Sequence, residues 1–103
     1  MEFFELQKQA LEVRDRYAEL TKKQGMRPWR AREHTEGFVG DVGDLVKLVM
    51  AREGYRNYPE LDAKIAHELS DCLWSVIVLA DELGVDIETS FVSTMDELRE
   101  RTR

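Results

Sequence analysis

Residues 65–83 read IAHELSDCLWSVIVLADEL, a run in which apolar side chains recur at helical spacing around two acids. At about 100° per residue, Glu68 and Asp71 lie on or beside the apolar stripe of this predicted helix. A buried carboxylate is costly unless it is protonated, paired with a cation or bound to a metal ion. The run therefore predicts a core helix that carries two functional acids.

A second run repeats this arrangement. Residues 37–50, GFVGDVGDLVKLVM, place Asp41 and Asp44 three residues apart beside Leu45 and Leu48. Two helices thus direct four carboxylates toward one interior, and no buried base is evident to pair with them. This number of oxygen ligands favours a hard cation, and Mg²⁺ fits best because it also accepts water and phosphate oxygens. The alternative is that the acids face solvent at the edge of each stripe.

Length and composition predict a single domain spanning residues 1–103. Hydrophobic residues make up 43% and charged residues 35%, which is typical of a globular protein and not of a disordered one. The net charge of −6 argues against binding to nucleic acid polymers or anionic membranes. A single cysteine excludes an internal disulfide. Because the N-terminus has no signal-peptide pattern and no apolar run is long enough for a bilayer, we expect a cytoplasmic protein.

The hydrophobic periodicity predicts an all-α fold. Gly25 is the expected C-cap of the first helix, and Thr35 and Asp86 are the expected N-caps of the second and fourth. Pro59 suits the first turn of the third helix. That helix is apolar over more than one face, which favours a four-helix bundle-like fold completed by homo-oligomerisation. The predicted helices cover residues 2–24, 35–53, 59–83 and 87–101.

Residues 25–33, GMRPWRARE, form a predicted loop with Trp29 among three arginines. An aromatic ring among cations can stack on a nucleobase while the cations hold phosphate. The alternative is a surface loop whose tryptophan covers the end of the bundle. Three glycines then recur at every third position of the second helix, which predicts close approach of another helix or of a ligand. These glycines are Gly37, Gly40 and Gly43.

The order of the acids resembles that of a known enzyme family. The segment GDVGDLVKL carries Asp41 and Asp44, and HELSDCLWSVIVLADELGVDIETSF carries Glu68 and Asp71. Together they resemble the all-α nucleoside triphosphate pyrophosphohydrolases, most of all the MazG-like group and the small dCTP pyrophosphatases. The resemblance extends over about residues 3–99. It implies a MazG-type fold and a dimer or tetramer whose core is shared between subunits.

The resemblance also implies an activity. Members of this family hydrolyse a (deoxy)nucleoside triphosphate to the monophosphate and pyrophosphate in nucleotide-pool housekeeping, with Mg²⁺, for which Mn²⁺ can substitute. By position, the resemblance makes Asp41, Asp44, Glu68 and Asp71 the catalytic and metal-ligating residues. One of these acids would also orient or deprotonate the attacking water.

The sequence departs from the family pattern in two places. Aspartate occupies both positions of the first motif, where the family usually has glutamate. Residues 94–98, TMDEL, replace a K-M-D-x-N-like segment whose lysine and asparagine contact phosphate in many relatives. Phosphate binding would then depend on arginines of the last helix or of the loop. The expected substrate-binding residues are Trp29, Arg30, His34, Ser75 and Arg99.

Three other interpretations stay open at this point. The chain could be a non-catalytic helical oligomer of the same fold that acts as a nucleotide sensor or interaction module. It could hydrolyse a different substrate, such as a phosphoribosyl-nucleotide or a modified nucleotide. It could also be a structural bundle with exposed acids, which would neither bind Mg²⁺ nor be stabilised by it.

Overall fold

The structure is a computed structural model that describes residues 1–103, and it confirms the all-α prediction. It contains four α-helices and no strand. The loops between them are short, so consecutive helices can pack as neighbours. The helices are α1 (Phe3–Lys23), α2 (Ala31–Arg52), α3 (Leu61–Glu82) and α4 (Ile87–Arg101).

Glycine ends the helices as the sequence predicts. Gly25 follows α1 with φ of 77°, a left-handed conformation that glycine adopts without steric cost. The amide of Met26 then donates to the carbonyl of Thr21 at 3.1 Å, which closes a Schellman motif. Gly84 ends α3 in the same way, with φ of 70°.

Of the two predicted N-caps, only that of α4 is found in the structure. Asp86 caps α4, because its carboxylate accepts the amide of Thr89 at 3.1 Å. The prediction that Thr35 caps α2 is wrong: this helix begins at Ala31, and Thr35 Oγ1 donates to the Ala31 carbonyl at 2.7 Å within the helix. The first turn is stabilised from Glu33, whose carboxylate accepts the amide of Arg30 at 2.7 Å.

The third helix also starts later than predicted. Pro59 lies in a turn before α3, and the residue that precedes the helix, Glu60, has a left-handed φ of 54°. The chain therefore reverses between α2 and α3 before the helix begins at Leu61. An ion pair of 3.0 Å between Arg52 and Asp62 joins the two helix ends at this reversal.

The helices α2 and α3 form an antiparallel pair, and α1 packs on α3. Contacts along the pair run in opposite order in the two helices, from Arg52 with Asp62 at one end to His34 with Trp74 near the other. The indole nitrogen of Trp74 donates to the carbonyl of Ala10 at 2.9 Å and so ties α3 to α1. This arrangement places the two acid-bearing runs side by side.

The buried core of one chain is small, and the bundle is not closed within it. The buried apolar side chains are Ala10, Leu48, Ala51, Ile77, Val78 and Ala80. The helix α4 buries no residue and packs extensively on no other helix. Large apolar side chains remain exposed on every helix, for example Leu73 and Phe91. No helix combines the length and hydropathy needed to cross a membrane.

Candidate metal centre

Three acids from α2 and α3 form one compact cluster. The spacing of three residues puts Asp41 and Asp44 on the same face of α2, and the antiparallel packing sets Glu68 of α3 opposite them. One carboxylate oxygen from each of the three residues lies within 4.8 Å of the others. We call Asp41, Asp44 and Glu68 the acidic cluster.

The fourth predicted acid, Asp71, lies at the edge of the acidic cluster. Its carboxylate pairs with Nε2 of His67 at 3.2 Å and is partly exposed. Its charge still acts on the cluster, because it contributes to raising the pKa of Asp41 and of Glu68. The structure therefore brings all four predicted acids into one electrostatic neighbourhood, with Asp71 outside the compact set of three.

The acidic cluster has an uncompensated negative charge. Neither lysine nor arginine forms an ion pair with any of its members within 4.0 Å. Burial raises the pKa of Glu68, and the charges of Asp41, Asp71 and Asp44 raise it further. The pKa of Asp41 rises for the same reasons, burial being the largest. These carboxylates gain from any cation that enters between them.

One atom of the acidic cluster lacks a hydrogen-bond partner. Oε2 of Glu68 is buried and has no hydrogen-bond partner. A buried polar atom without a partner is costly, and such atoms are rare in folded proteins. Carboxylate oxygens are the ligands that Mg²⁺ prefers, so the residues present fit a divalent cation.

The neighbouring cysteine, Cys72, is half-buried beside the acids. Burial raises the pKa of its thiol, and the charges of Asp41, Glu68 and Asp71 raise it further. The thiolate, which is the nucleophilic form, is therefore disfavoured. This thiol packs against the cluster and offers no covalent chemistry.

Trp29 lies beside the same face of α2, one turn before the acidic cluster. Its ring covers Gly37, and a Cβ built at that glycine would be 2.9 Å from the ring. Gly37 and Asp41 are four residues apart, so they share a helix face. The indole is 52% exposed. The three glycines predict close approach of a helix or a ligand, but a side chain of the preceding loop approaches Gly37 instead, and a Cβ at Gly40 or Gly43 would meet nothing within 4 Å.

His34 is buried between two tryptophans. Its ring meets Trp29 edge to face with centroids 5.5 Å apart, and Trp74 with centroids 5.8 Å apart. The residue is 5% exposed, and its Nδ1 has no hydrogen-bond partner. His34 supports Trp29 from inside, and its Nδ1 is buried without a partner.

The other predicted substrate-binding residues are not brought together. Ser75 is buried, at 2% exposure, so a ligand does not reach it in this conformation. Arg99 lies on α4 and pairs with Asp96 of the same helix at 2.6 Å. Arg30 is exposed next to Trp29, and its guanidinium has no ion-pair partner within 4.0 Å. Of the expected phosphate-binding cations, Arg30 alone is free and near the site.

Sequence reasoning missed one contributor, His67, and did not distinguish another, Gly37, from the other glycines of α2. His67 pairs with Asp71, and the spacing of four residues on one helix is a signal that could have revealed the pair. The ring of Trp29 packs on Gly37, but only the loop conformation shows which of the three glycines the ring contacts. Neither residue is a cluster ligand; each acts on a residue that is close to the acids.

No protein-family model matches this chain, and no curated protein matches it either. The resemblance of its acid motifs to the pyrophosphohydrolases therefore stays a prediction from residues 41–44 and 68–71.

Proposed function

We propose that this chain is a Mg²⁺-dependent pyrophosphohydrolase of MazG-like type, which converts a (deoxy)nucleoside triphosphate to the monophosphate and pyrophosphate. The observation that carries the proposal is the acidic cluster, in which three carboxylates converge within 4.8 Å and Glu68 Oε2 has no partner. A structural bundle gains nothing from this arrangement, because like charges at such distances repel.

The residues that would hold Mg²⁺ are Asp41, Asp44 and Glu68, with Asp71 as a fourth ligand or as the group that orients a bound water. Mn²⁺ would suit the same oxygen ligands. When bound, the ion would offset the charge of the triphosphate, acidify a water and stabilise the leaving pyrophosphate. Without a cation, a triphosphate would meet only negative charge at this site.

The reaction needs a base and no covalent nucleophile. Water attacks the α-phosphorus, and the bond from that phosphorus to the bridging oxygen of the β-phosphate breaks. One of the four carboxylates takes the proton of the water.

The substrate is held by groups at the start of α2. Trp29 offers an exposed aromatic face one helical turn from Asp41, where a nucleobase can stack. Arg30 supplies an unpaired guanidinium next to it, which can bind phosphate oxygens. Base, phosphates and metal ligands thus lie along one face of α2.

The active form is proposed to be a homo-oligomer, a dimer or a tetramer in the cytoplasm. The exposed apolar residues of α4, such as Phe91 and Val92, support this because one chain leaves them uncovered. Light scattering coupled to size exclusion should give a mass of two or four chains. A monomer at micromolar concentration would contradict the shared-core proposal.

A non-catalytic nucleotide sensor is the second candidate. The pairing of Arg99 with Asp96 favours it, because the arginine of α4 that was expected to bind phosphate is then already engaged. Such a protein would bind a nucleoside triphosphate with Mg²⁺ and release no pyrophosphate. Turnover therefore separates the two candidates.

The experiment is pyrophosphate release from canonical and modified nucleoside triphosphates with Mg²⁺, with Mn²⁺ and with chelator. We expect release with either metal and none with chelator. Binding without release would support the sensor, and neither binding nor release in folded protein would contradict both proposals. A phosphoribosyl-nucleotide in the same panel tests the alternative substrate.

A further inference from the structure

We propose that His34 is a proton-sensitive joint that holds Trp29 against α2 when neutral and releases it when protonated. The joint consists of three rings in series: Trp29 of the loop, His34 of α2 and Trp74 of α3. The movement of Trp29 is a property of the fold alone. The regulatory consequence, that acid removes the ring on which a nucleobase would stack, rests on the proposed function.

The surroundings of His34 suit a neutral ring. The residue is 5% exposed, Nδ1 has no partner, and its side chain forms no hydrogen bond in the protein. A proton added to Nδ1 would create a buried cationic donor without an acceptor, which is among the most costly groups in a protein interior. Protonation therefore requires that water or a carboxylate reach the ring.

Charged groups face His34 from each helix packed around it. Burial lowers its pKa, and the positive charge of Arg14 on α1 lowers it further, whereas Glu82 on α3 and Glu33 on α2 raise it. Arg14 is itself held by Asp81 and lies 3.7 Å from Glu82. Glu82 therefore offsets only part of the effect of burial, and the pKa of the imidazole stays below its usual value.

The two tryptophans around His34 are held differently. Trp74 is fixed, because its indole nitrogen donates to the Ala10 carbonyl at 2.9 Å. Trp29 is 52% exposed, lies in the loop before α2 and is held by packing alone, since its indole nitrogen forms no hydrogen bond in the protein. When His34 gains a proton, the ring of Trp29 therefore moves and admits water.

The test labels both tryptophans with 5-fluorotryptophan and follows their ¹⁹F resonances in metal-free protein from about pH 8 to about pH 5. Trp29→Phe assigns the two signals. We expect the Trp29 resonance to shift toward that of the free amino acid, with a midpoint below the usual histidine pKa of 6.5. The Trp74 resonance and the far-UV circular dichroism should stay constant across the same range.

Three variants make the result specific. His34→Phe keeps a ring of similar size and loses no hydrogen bond, so it should fold and abolish the shift; His34→Gln serves if it does not fold. His67→Gln removes the only other histidine and should leave the shift intact. Gly37→Ala should give the displaced Trp29 signal already at about pH 8, because a Cβ there meets the ring at 2.9 Å.

A shift of the Trp29 resonance that persists in His34→Phe would overturn this proposal. So would a shift of both tryptophan resonances that accompanies a change in the circular dichroism. A Trp29 resonance that stays fixed while the imidazole of His34 titrates would overturn it as well. Because no nucleotide or metal is present, these outcomes are independent of whether the chain hydrolyses triphosphates. If the chain releases no pyrophosphate but the Trp29 resonance still shifts, the proposed function is refuted and the proposal about His34 is not.

Discussion

Glu68 on α3 and Asp41 on α2 face each other across the antiparallel pair, each with an oxygen within 4.8 Å of the other and of Asp44. Oε2 of Glu68 has no partner. After the larger effect of burial, the charge of Asp41 raises the pKa of Glu68, and the charges of Asp71 and Asp44 raise the pKa of both residues. The pair is destabilising in the metal-free chain. Its cost is therefore a measurable quantity that metal binding should offset.

Replacing Glu68 by glutamine should stabilise the metal-free protein at neutral pH. The unfolded chain ionises this group near its usual pKa of 4.5, whereas the folded chain releases the proton only at higher pH. The free energy of unfolding therefore falls as the pH rises through that interval and stays low at neutrality. We expect a gain of about 1 kcal/mol or less, since solvent screens a partly exposed cluster. In thermal melts with chelator, the melting temperature of Glu68→Gln should exceed that of the wild type by about 4 °C near pH 7. At about pH 4 the two melting temperatures should be equal.

Glu97 provides the matched control for this substitution. It is exposed on α4 and forms no ion pair within 4.0 Å. Glu97→Gln removes the same charge by the same chemical change and should leave the melting temperature nearly unchanged. Equal stabilisation by both variants would mean that net charge, and not the acidic cluster, is responsible.

Mg²⁺ should stabilise the wild-type chain in a saturable way. A ligand that binds only the folded state at about one hundred times its dissociation constant adds about 2.7 kcal/mol to the free energy of unfolding. Melts over a Mg²⁺ series at constant ionic strength measure this effect. We expect the dependence in Glu97→Gln and its loss in Glu68→Gln. A Mg²⁺ effect of the same size in Glu68→Gln would place the ion elsewhere.

Gly37→Ala and Gly40→Ala are matched variants that test whether the packing of Trp29 on Gly37 matters for nucleotide binding. A Cβ at Gly37 would clash with the ring, whereas a Cβ at Gly40 meets nothing within 4 Å. Gly37→Ala should weaken binding of a non-hydrolysable triphosphate analogue about tenfold, since stacking on one base contributes about 1–3 kcal/mol. Gly40→Ala should leave nucleotide binding intact and stabilise α2 by up to about 1 kcal/mol.

Titration calorimetry with Mg²⁺ alone completes that test. Metal affinity should be unchanged in both glycine variants, because neither residue touches the acidic cluster. Parallel loss of metal and nucleotide binding in Gly37→Ala would mean that Trp29 supports the helix pair and not the ligand.

Trp74→Phe should cost more stability than Trp29→Phe. The indole of Trp74 bonds the Ala10 carbonyl and packs against Tyr17 and His34, which joins α1 to the helix pair. We expect a loss of about 1–3 kcal/mol, from one hydrogen bond and part of the packing. The half-exposed Trp29 should contribute less than about 1 kcal/mol. Urea unfolding measures both, and equal losses would contradict the different roles of the two rings.

The acids were predictable from the sequence, and their convergence follows from simple geometry. Spacing of three residues puts Asp41 with Asp44 and Glu68 with Asp71 on single helix faces, and a short connection makes α2 and α3 neighbours. The His67 partner of Asp71 shifts that acid out of the compact cluster. Residue spacing alone does not show that Glu68, and not Asp71, belongs to the compact cluster.

The residues that sequence reasoning misplaced share a physical cause. A helical wheel gives the face of Ser75 but not its depth, so its burial was not foreseen. Arg99 depends on where α4 docks, and the sequence of α4 does not determine its partner surface. The start of α2 moved from Thr35 to Ala31 because Glu33 supplies the capping interaction by reaching back to the preceding amide.

Pyrophosphate release by the wild-type chain, Glu97→Gln and Glu68→Gln, measured side by side with Mg²⁺ and the preferred triphosphate, tests the central claim most directly. We predict equal release by the first two and a loss of at least about a hundredfold in Glu68→Gln, because a carboxylate that binds metal or accepts the proton is removed. Undiminished release by Glu68→Gln would contradict the assignment of the acidic cluster as the active site.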